Sequence, residues 1–160
     1  AQGIKDWRPD NAVGQFQMEG CKADVGLTDM TLVQAREAGA KTLVIGVANR
    51  GGTISAAWRA VLVEALEAGF DLASGLHNLL RNEPELVSVA QKNGCKLHDV
   101  RIPSVQYPIA SGVKRSGKRV LAVGTDCSVG KMYTALALDA AMQESINTVF
   151  KTIPHGIYVG

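Results

Sequence analysis

Cysteine is scarce in this chain and poorly placed for pairing. Cys21, Cys95 and Cys127 are three in number and far apart among 160 residues. That argues against a disulfide framework or a zinc cluster. No metal site and a reducing, cytoplasmic setting are therefore expected. An excess of charge of one sign is also missing. The formal net charge is +2, so nothing draws the chain to nucleic acid or to an anionic membrane. No apolar run approaches the roughly 20 residues that span a bilayer. The N-terminal stretch lacks a basic patch followed by an apolar core, so no secretory signal is read there. The first residue is Ala1 and not methionine, and the start is read as processed or incomplete. What remains is 46% hydrophobic and 20% charged residues, the balance of a soluble globular protein. A chain of 160 residues holds one ordinary domain, or a small domain and part of another.

Residues 1–30 are irregular, with few periodic cues. Thr31–Ala38 reads as a short helix. Thr42–Ala48 is a continuous apolar, β-branched run, as expected of a strand buried on both faces. Ser55 is a plausible N-cap for a helix through Ala68, with Trp58, Val61, Leu62, Ala65 and Leu66 on one face. Phe70–Ser74 is a second strand, Glu83–Lys92 a helix with Leu86, Val87 and Ala90 inward, and Lys96–Val100 a third strand. This β-α-β-α-β order is the grammar of an open parallel sheet in an α/β fold. The stretch 102–118 collects prolines, serines, glycines and basic residues, and reads as a linker between a domain at 1–101 and a second at 119–160. The basic residues from Lys114 to Arg119 read as a solvated linker that could also help attract a polyanion.

The second domain opens on Arg119-Val-Leu-Ala-Val-Gly124-Thr-Asp-Cys-Ser-Val-Gly130-Lys131-Met132. A strand over Val120–Val123, a glycine-bounded polar loop, Gly-Lys and a helix from about Gly130 to Gln143 read as a phosphate-binding loop. Successive backbone N–H groups and the positive end of the helix make a nest for an anion, and the lysine adds a mobile charge. Five residues separate Gly124 from Gly130, where the common motif has four. The pattern resembles the loop of dethiobiotin synthetase and related phosphate-loop enzymes. Met132 stands where a Ser or Thr hydroxyl ordinarily meets Mg²⁺. The loop is therefore expected to bind a phosphate anion, Mg·ATP hydrolysis is in doubt, and a ligand whose phosphates serve only as a handle becomes attractive. The apolar helix that follows looks buried, and Asn147–Lys151 looks like one more strand. A β-α-β unit cannot cover its own sheet, so the chain is read as a fragment, or else as one whose partner, such as a second copy in a homo-oligomer, supplies the missing layers.

Several single residues carry two readings each. Cys127 either carries an acyl group or, as preferred, is a small residue fitting the turn. Asp126 either acts as a general base or orders the loop. His77 follows the second strand, and Asn49, Arg50, Gly51 and Gly52 follow the first, at the strand ends where open α/β sheets bind ligands. A turn histidine is also often structural. Asp99 is expected to pair with Arg101 near the end of the third strand. Cys21 and Cys95 are expected to be buried or incidental, and His155 has no interpretable context.

Val13-Gly-Gln-Phe-Gln-Met-Glu-Gly-Cys21, Thr42-Leu-Val-Ile-Gly-Val-Ala-Asn49, Glu64-Ala-Leu-Glu-Ala-Gly69, Ser74-Gly-Leu-His77, Leu97-His-Asp-Val-Arg101 and Gly124-Thr-Asp-Cys-Ser-Val-Gly-Lys-Met-Tyr-Thr134 resemble the DgcN-type proteins. The resemblance covers roughly residues 7–145. It implies a Rossmann-like parallel-sheet domain followed by the beginning of a P-loop NTPase-like α/β domain. Some members of that family carry an epimerase/dehydratase label, and others are described as D-glutamate N-acetyltransferases. The resemblance implies acetyl-CoA as co-substrate and a small-molecule amino acid as acceptor. Gly124, Thr125, Asp126, Cys127, Ser128, Val129, Gly130, Lys131 and Met132 would form the coenzyme A phosphate site. Asp126 or His77 would be the catalytic base, and Arg50, Arg101 and Asn49 would hold the acceptor. The tail departs: Phe150-Lys-Thr-Ile-Pro-His-Gly-Ile157 replaces the family's usual continuation, Phe-Arg-Ala-Thr-Gly-Gln-Thr-Gly-Ile. If the missing remainder supplies the acceptor site, the fragment alone is expected to be inactive. Two alternatives stand beside this reading. One is a nucleotide-dependent ligase or kinase akin to dethiobiotin synthetase, which Met132 disfavours. The other is a nucleotide-binding module without catalysis, which the absence of Gly-x-Gly-x-x-Gly after the first strand disfavours.

Overall fold

The computed structural model describes residues 2–47, 49–102, 106, 112, 113, 116, 120–126 and 129–145. The chain divides into two compact units, Ala1–Ile102 and Pro103–Gly160.

The first unit is built on three parallel strands in the order β1-β2-β3: β1 (Thr42–Val44), β2 (Asp71–Ser74) and β3 (Leu97–Asp99). Leu43 lies opposite Leu72, and Leu72 opposite Leu97. Helix α1 (Gln2–Trp7) opens the chain and α2 (Leu32–Glu37) leads into β1. The crossovers are α3 (Ala56–Glu67) and α4 (Pro84–Asn93). Helix α3 starts where the sequence predicts, because Ser55 Oγ accepts a hydrogen bond from Trp58 N at 3.2 Å. Helix α2 starts on a reciprocal capping box between Thr31 and Gln34.

Leu62, Ala65 and Leu66 of α3 and Leu86 and Ala90 of α4 are buried with Leu72, Phe70, Leu80 and Leu32, and Leu43 and Leu97 pack against them. Burying each large apolar side chain contributes roughly 1.5–3 kcal/mol, so this cluster is what holds the strands in register. The sheet is covered unequally. Leu72 and Ser74 are buried on the core face, whereas Thr42, Val44 and His98 on the other face are exposed and Asp71 and Ala73 half-buried. This corrects the expectation that Thr42–Ala48 is buried on both faces. The ladder ends at Val44, although Ile45 N still donates to Ala73 O at 2.9 Å. In a sheet whose order follows the sequence, right-handed crossovers put successive helices on the same side. A β-branched apolar run does not report that one-sidedness.

In the second unit the longest element is α5 (Lys131–Ser145). Two expectations fail here. The segment 120–124 joins no sheet ladder among the described residues, and Val120, Leu121 and Val123 are 75%, 81% and 79% exposed. A strand exists only through its partners, and the segment has none among the described residues of this unit. Helix α5, expected to be buried, exposes Met132, Tyr133, Leu138 and Met142, with no sheet to lie on among the described residues of this unit. The predicted strand Asn147–Lys151, most of the linker, and His155 lie outside the described residues. No helix among the described residues is long and apolar enough to cross a membrane.

Candidate functional site

In the first unit the loops after the three strands meet at one edge of the sheet. After β1, the chain makes a tight turn at Asn49–Thr53. Asn49 Nδ2 donates to Thr53 O at 2.9 Å, and Thr53 N donates to Asn49 Oδ1 at 3.0 Å. Gly51 and Gly52 both have positive φ, +80° and +58°, a region open to glycine at little cost. Gly52 is buried. Its carbonyl accepts from Asn78 N at 2.9 Å. A Cβ built on Gly52 would lie 2.7 Å from His77 N and 3.0 Å from His77 Cδ2. The loops after β1 and β2 are thus packed backbone against backbone, and Asn49 and His77 sit on adjoining turns. The Arg50 backbone belongs to this turn, and its side chain lies outside the described residues.

After β2, buried Ser74 turns the chain by accepting from Leu76 N at 3.1 Å. After β3, Val100 N donates to Ser74 O at 3.0 Å, which brings the turn carrying Arg101 to the same edge. The expected Asp99–Arg101 pair does not form. The Asp99 carboxylate, buried to 1% side-chain exposure, accepts from Leu80 N at 2.7 Å, Arg81 N at 3.3 Å and Arg81 Nε at 2.9 Å. It therefore caps the short turn Leu80–Asn82, whose first N–H groups have no other acceptor. Arg101 is left half-buried with no hydrogen bond or ion pair among the described residues. Sequence reading missed Arg81 altogether, and it placed Gly52 at this edge without its contact to His77. Neither stands in a motif, and both act across more than a dozen residues of chain.

Other titratable groups of this unit tie its elements to one another. His98 Nε2 lies 3.6 Å from Asp71 Oδ2 on the open face of the sheet. Arg59 donates to Glu83 Oε2 through Nη2 at 2.7 Å and Nε at 3.1 Å, tying α3 to the start of α4. Cys95 is half-buried, and its Sγ lies 3.5 Å from Leu66 O. Burial, helped by nearby Asp71, pushes its thiol above the usual range. Cys21 is exposed. Among the described residues no His, Cys, Asp or Glu cluster could hold a metal ion. An open groove of about 950 Å³ lies between the N-terminal segment, β1 and α3, lined by residues such as Phe16, Met18, Met30, Val44 and Trp58. Asn49, His77 and Arg101 are not among its walls.

In the second unit the loop ends draw together. A Cβ on Gly124 would lie 2.5 Å from Val129 Cγ2 and 3.1 Å from Lys131 Cγ, so a side chain there would push the Val129 methyl aside. Gly130 has φ +86°, and its carbonyl accepts from Thr134 N at 2.9 Å, which starts the helical ladder. Helix α5 begins at Lys131 itself. Lys131 Nζ donates back to Asp126 O at 2.5 Å, so the ammonium reaches over the loop. Thr125, Asp126, Val129, Gly130 and Met132 are exposed. Cys127 and Ser128 lie outside the described residues. A glycine-bounded turn, a helix start and a lysine folded over it form an arrangement suited to an anion.

Parallel strands with crossover helices in one unit and a Gly-Lys loop at a helix start in the other define a Rossmann-like domain joined to a P-loop domain. The Rossmann-like domain model of the DUF1611 family, a domain of unknown function, matches residues 16–103, and the family's P-loop domain model matches residues 108–152. The chain belongs to the DUF1611 family. It is 71% identical over 152 residues to a Tritonibacter scottomollicae protein named D-glutamate N-acetyltransferase, covering 94% of this chain and 46% of that one. It is 47% identical over 144 residues to a Pseudoalteromonas protein of the same name, covering 90% of this chain and 43% of the relative. A crystal structure of a DUF1611 family protein from Anabaena variabilis is similar at a TM-score of 0.60 and 37% identity, over 79% of this chain and 36% of that one. The chain spans a little under half the length of the curated relatives it matches.

Proposed function

We propose that this chain supplies the acetyl-donor anchor and part of the acceptor site of a cytoplasmic enzyme that moves acetyl from acetyl-CoA to the amine of D-glutamate. The observation that carries the reading is the 71% identity, over 94% of the chain, to a protein named D-glutamate N-acetyltransferase. The loop chemistry supports it. A phosphate handle needs N–H donors and a cation, which Gly124, Gly130 and Lys131 supply, and needs no metal-binding hydroxyl, which Met132 lacks. Thr125, Asp126, Cys127, Ser128 and Val129 complete that anchor in the proposal.

Acetyl transfer requires a neutral amine, because an ammonium has no lone pair to attack the thioester carbonyl. The amine nitrogen forms the C–N bond, a base takes its proton, the C–S bond breaks, and coenzyme A leaves as a thiolate that takes up a proton. Either His77 or Asp126 is the base in this proposal. Arg101, left without a protein partner among the described residues, would hold an acceptor carboxylate by a bidentate pair, with Arg50 as a second cation. One lone pair of Asn49 Oδ1 remains for the amine after its bond to Thr53. The proposal includes a homo-oligomer and no nucleic-acid or membrane partner.

The test uses this chain joined to the remaining length of the Tritonibacter scottomollicae relative. Lys131→Met should raise the acetyl-CoA KM about 10- to 100-fold with kcat kept, as follows from losing a charge-assisted hydrogen bond of ~1.5–3 kcal/mol. An unchanged KM rejects the anchor. Titration with coenzyme A, ATP and NAD should find coenzyme A bound without added Mg²⁺. Mg·ATP turnover instead would favour the ligase or kinase reading.

A further inference from the structure

The contact between Gly52 and His77 joins two loops that are 25 residues apart in sequence. Nothing in the local sequence of either loop calls for it. A Cβ at position 52 would lie 2.7 Å from His77 N, 3.0 Å from Cδ2 and 3.1 Å from Cβ. Two of those atoms cannot yield without moving the His77 backbone or the root of its side chain. Asn78 N, the next amide along, is already bonded to Gly52 O. Position 52 is buried, and the Asn49 amide clasps Thr53 from both sides, so the turn has little room to retreat. Neighbouring Gly51 has an equally unusual backbone, at φ +80°, but a Cβ there would meet only Thr53 Cγ2, at an ordinary 3.7 Å. Both glycines suit their backbone, and one of them also leaves space for the imidazole.

We propose that Gly52 is a positioning residue, whose missing side chain sets where the His77 imidazole stands at the carboxyl edge of the sheet. The inference rests on the reading above, with His77 as the base that takes the proton of the acceptor amine. A base displaced by about 1 Å loses on the order of 10²-fold in rate while substrate binding elsewhere is untouched. Gly52→Ala should therefore lower kcat at least tenfold and leave both KM values close to wild type. Gly51→Ala carries the same left-handed backbone cost without reaching His77. It should keep kcat near wild type.

The experiment compares Gly51→Ala, Gly52→Ala, His77→Ala and the Gly52→Ala/His77→Ala double variant in the full-length fusion. Support is a kcat loss in Gly52→Ala and His77→Ala that is no larger in the double variant, as expected of residues acting as one unit. Equal losses in Gly51→Ala and Gly52→Ala would assign the effect to backbone strain and overturn the inference. So would a His77→Ala loss with Gly52→Ala fully active, which leaves the reading of His77 as base intact. A fully active His77→Ala instead removes that reading and the inference with it. If Gly52→Ala does not fold, selectively labelled wild-type fusion decides. A nuclear Overhauser effect between a Gly52 α-proton and His77 Hδ2 is expected, and its absence overturns the proposal.

Discussion

Replacing Asp99 with alanine tests the loop architecture at its most buried charge. Three donors converge on this carboxylate, two of them at 2.7 and 2.9 Å. Leu80 is fully buried, so without Asp99 its N–H has no acceptor, which costs roughly 1–3 kcal/mol. The Arg81 side chain is 52% exposed, so its ion pair is discounted to about 0.5–1 kcal/mol for solvent screening. Asp99→Ala should therefore destabilise the chain by about 3 kcal/mol. With a urea m-value of about 2 kcal/mol/M, the midpoint should fall by about 1.5 M. Asp99→Asn, which still accepts from Leu80 N, should cost about 1 kcal/mol. A double-mutant cycle should find about 0.5–1 kcal/mol of coupling between Asp99 and Arg81, and none between Asp99 and Arg101. Arg101→Ala should be nearly neutral for stability. The reasoning is refuted if Asp99→Ala costs under about 1 kcal/mol, or if the coupling lies with Arg101. The second result would also remove Arg101 as a cation available to a substrate.

Two further outcomes are expected. Thr31→Ala removes the hydroxyl that accepts from Gln34 N at 3.2 Å and should cost about 1 kcal/mol in thermal or urea unfolding; Gln34→Ala, which breaks only the return bond to Thr31 N at 2.9 Å, should cost about half as much. Asp24 is held below the usual carboxylate range by the Gln15 amide and by Gly26 N. The hold on the 15–29 loop should be full at neutral pH and fade as pH falls through that lowered value. Amide exchange at Gly26 followed from pH 7 downward checks this, and protection that rises on acidification would contradict it.

What the sequence carries well is whatever a few neighbouring residues decide. Ser55 before an apolar helix stripe reads as a cap and is one, and the helix read over Thr31–Ala38 is there, with Thr31 as its cap and not its first turn. The three strands lie where apolar runs are bounded by turns, each shorter by a residue or more than its run. The errors belong to longer distances. Arg101, two places from Asp99, looks like its partner on spacing, yet β3 carries Asp99 alongside the turn holding Arg81, which no local pattern reveals. The run at Thr42–Ala48 looks doubly buried because β-branched residues suit either case, and only the side on which α3 and α4 both land decides it. That Asn49, Gly52 and His77 share one edge of the sheet was legible from their places after the strands. The contact of Gly52 with His77 was not, because a glycine in a turn looks the same whether it serves the backbone or a neighbour's ring.

Met132 bears on what the loop is for. Helix α5 begins at Lys131, so position 132 is where a Ser or Thr hydroxyl would hold a metal ion in a phosphoryl-transfer loop. A methionine that is 66% exposed stands there instead. Thr134 does not replace it: two residues further on, it is turned roughly 200° around the helix. Without that hydroxyl the loop loses the group that would fix a metal against the bond being broken, while its N–H donors and Lys131 lose nothing as holders of charge. An anchor acts equally on ground and transition states. Removing its cation should therefore appear in KM and spare kcat, whereas a phosphoryl-transfer loop deprived of the same lysine should lose kcat. The Lys131→Met kinetics thus separate the two chemistries even before a product is identified.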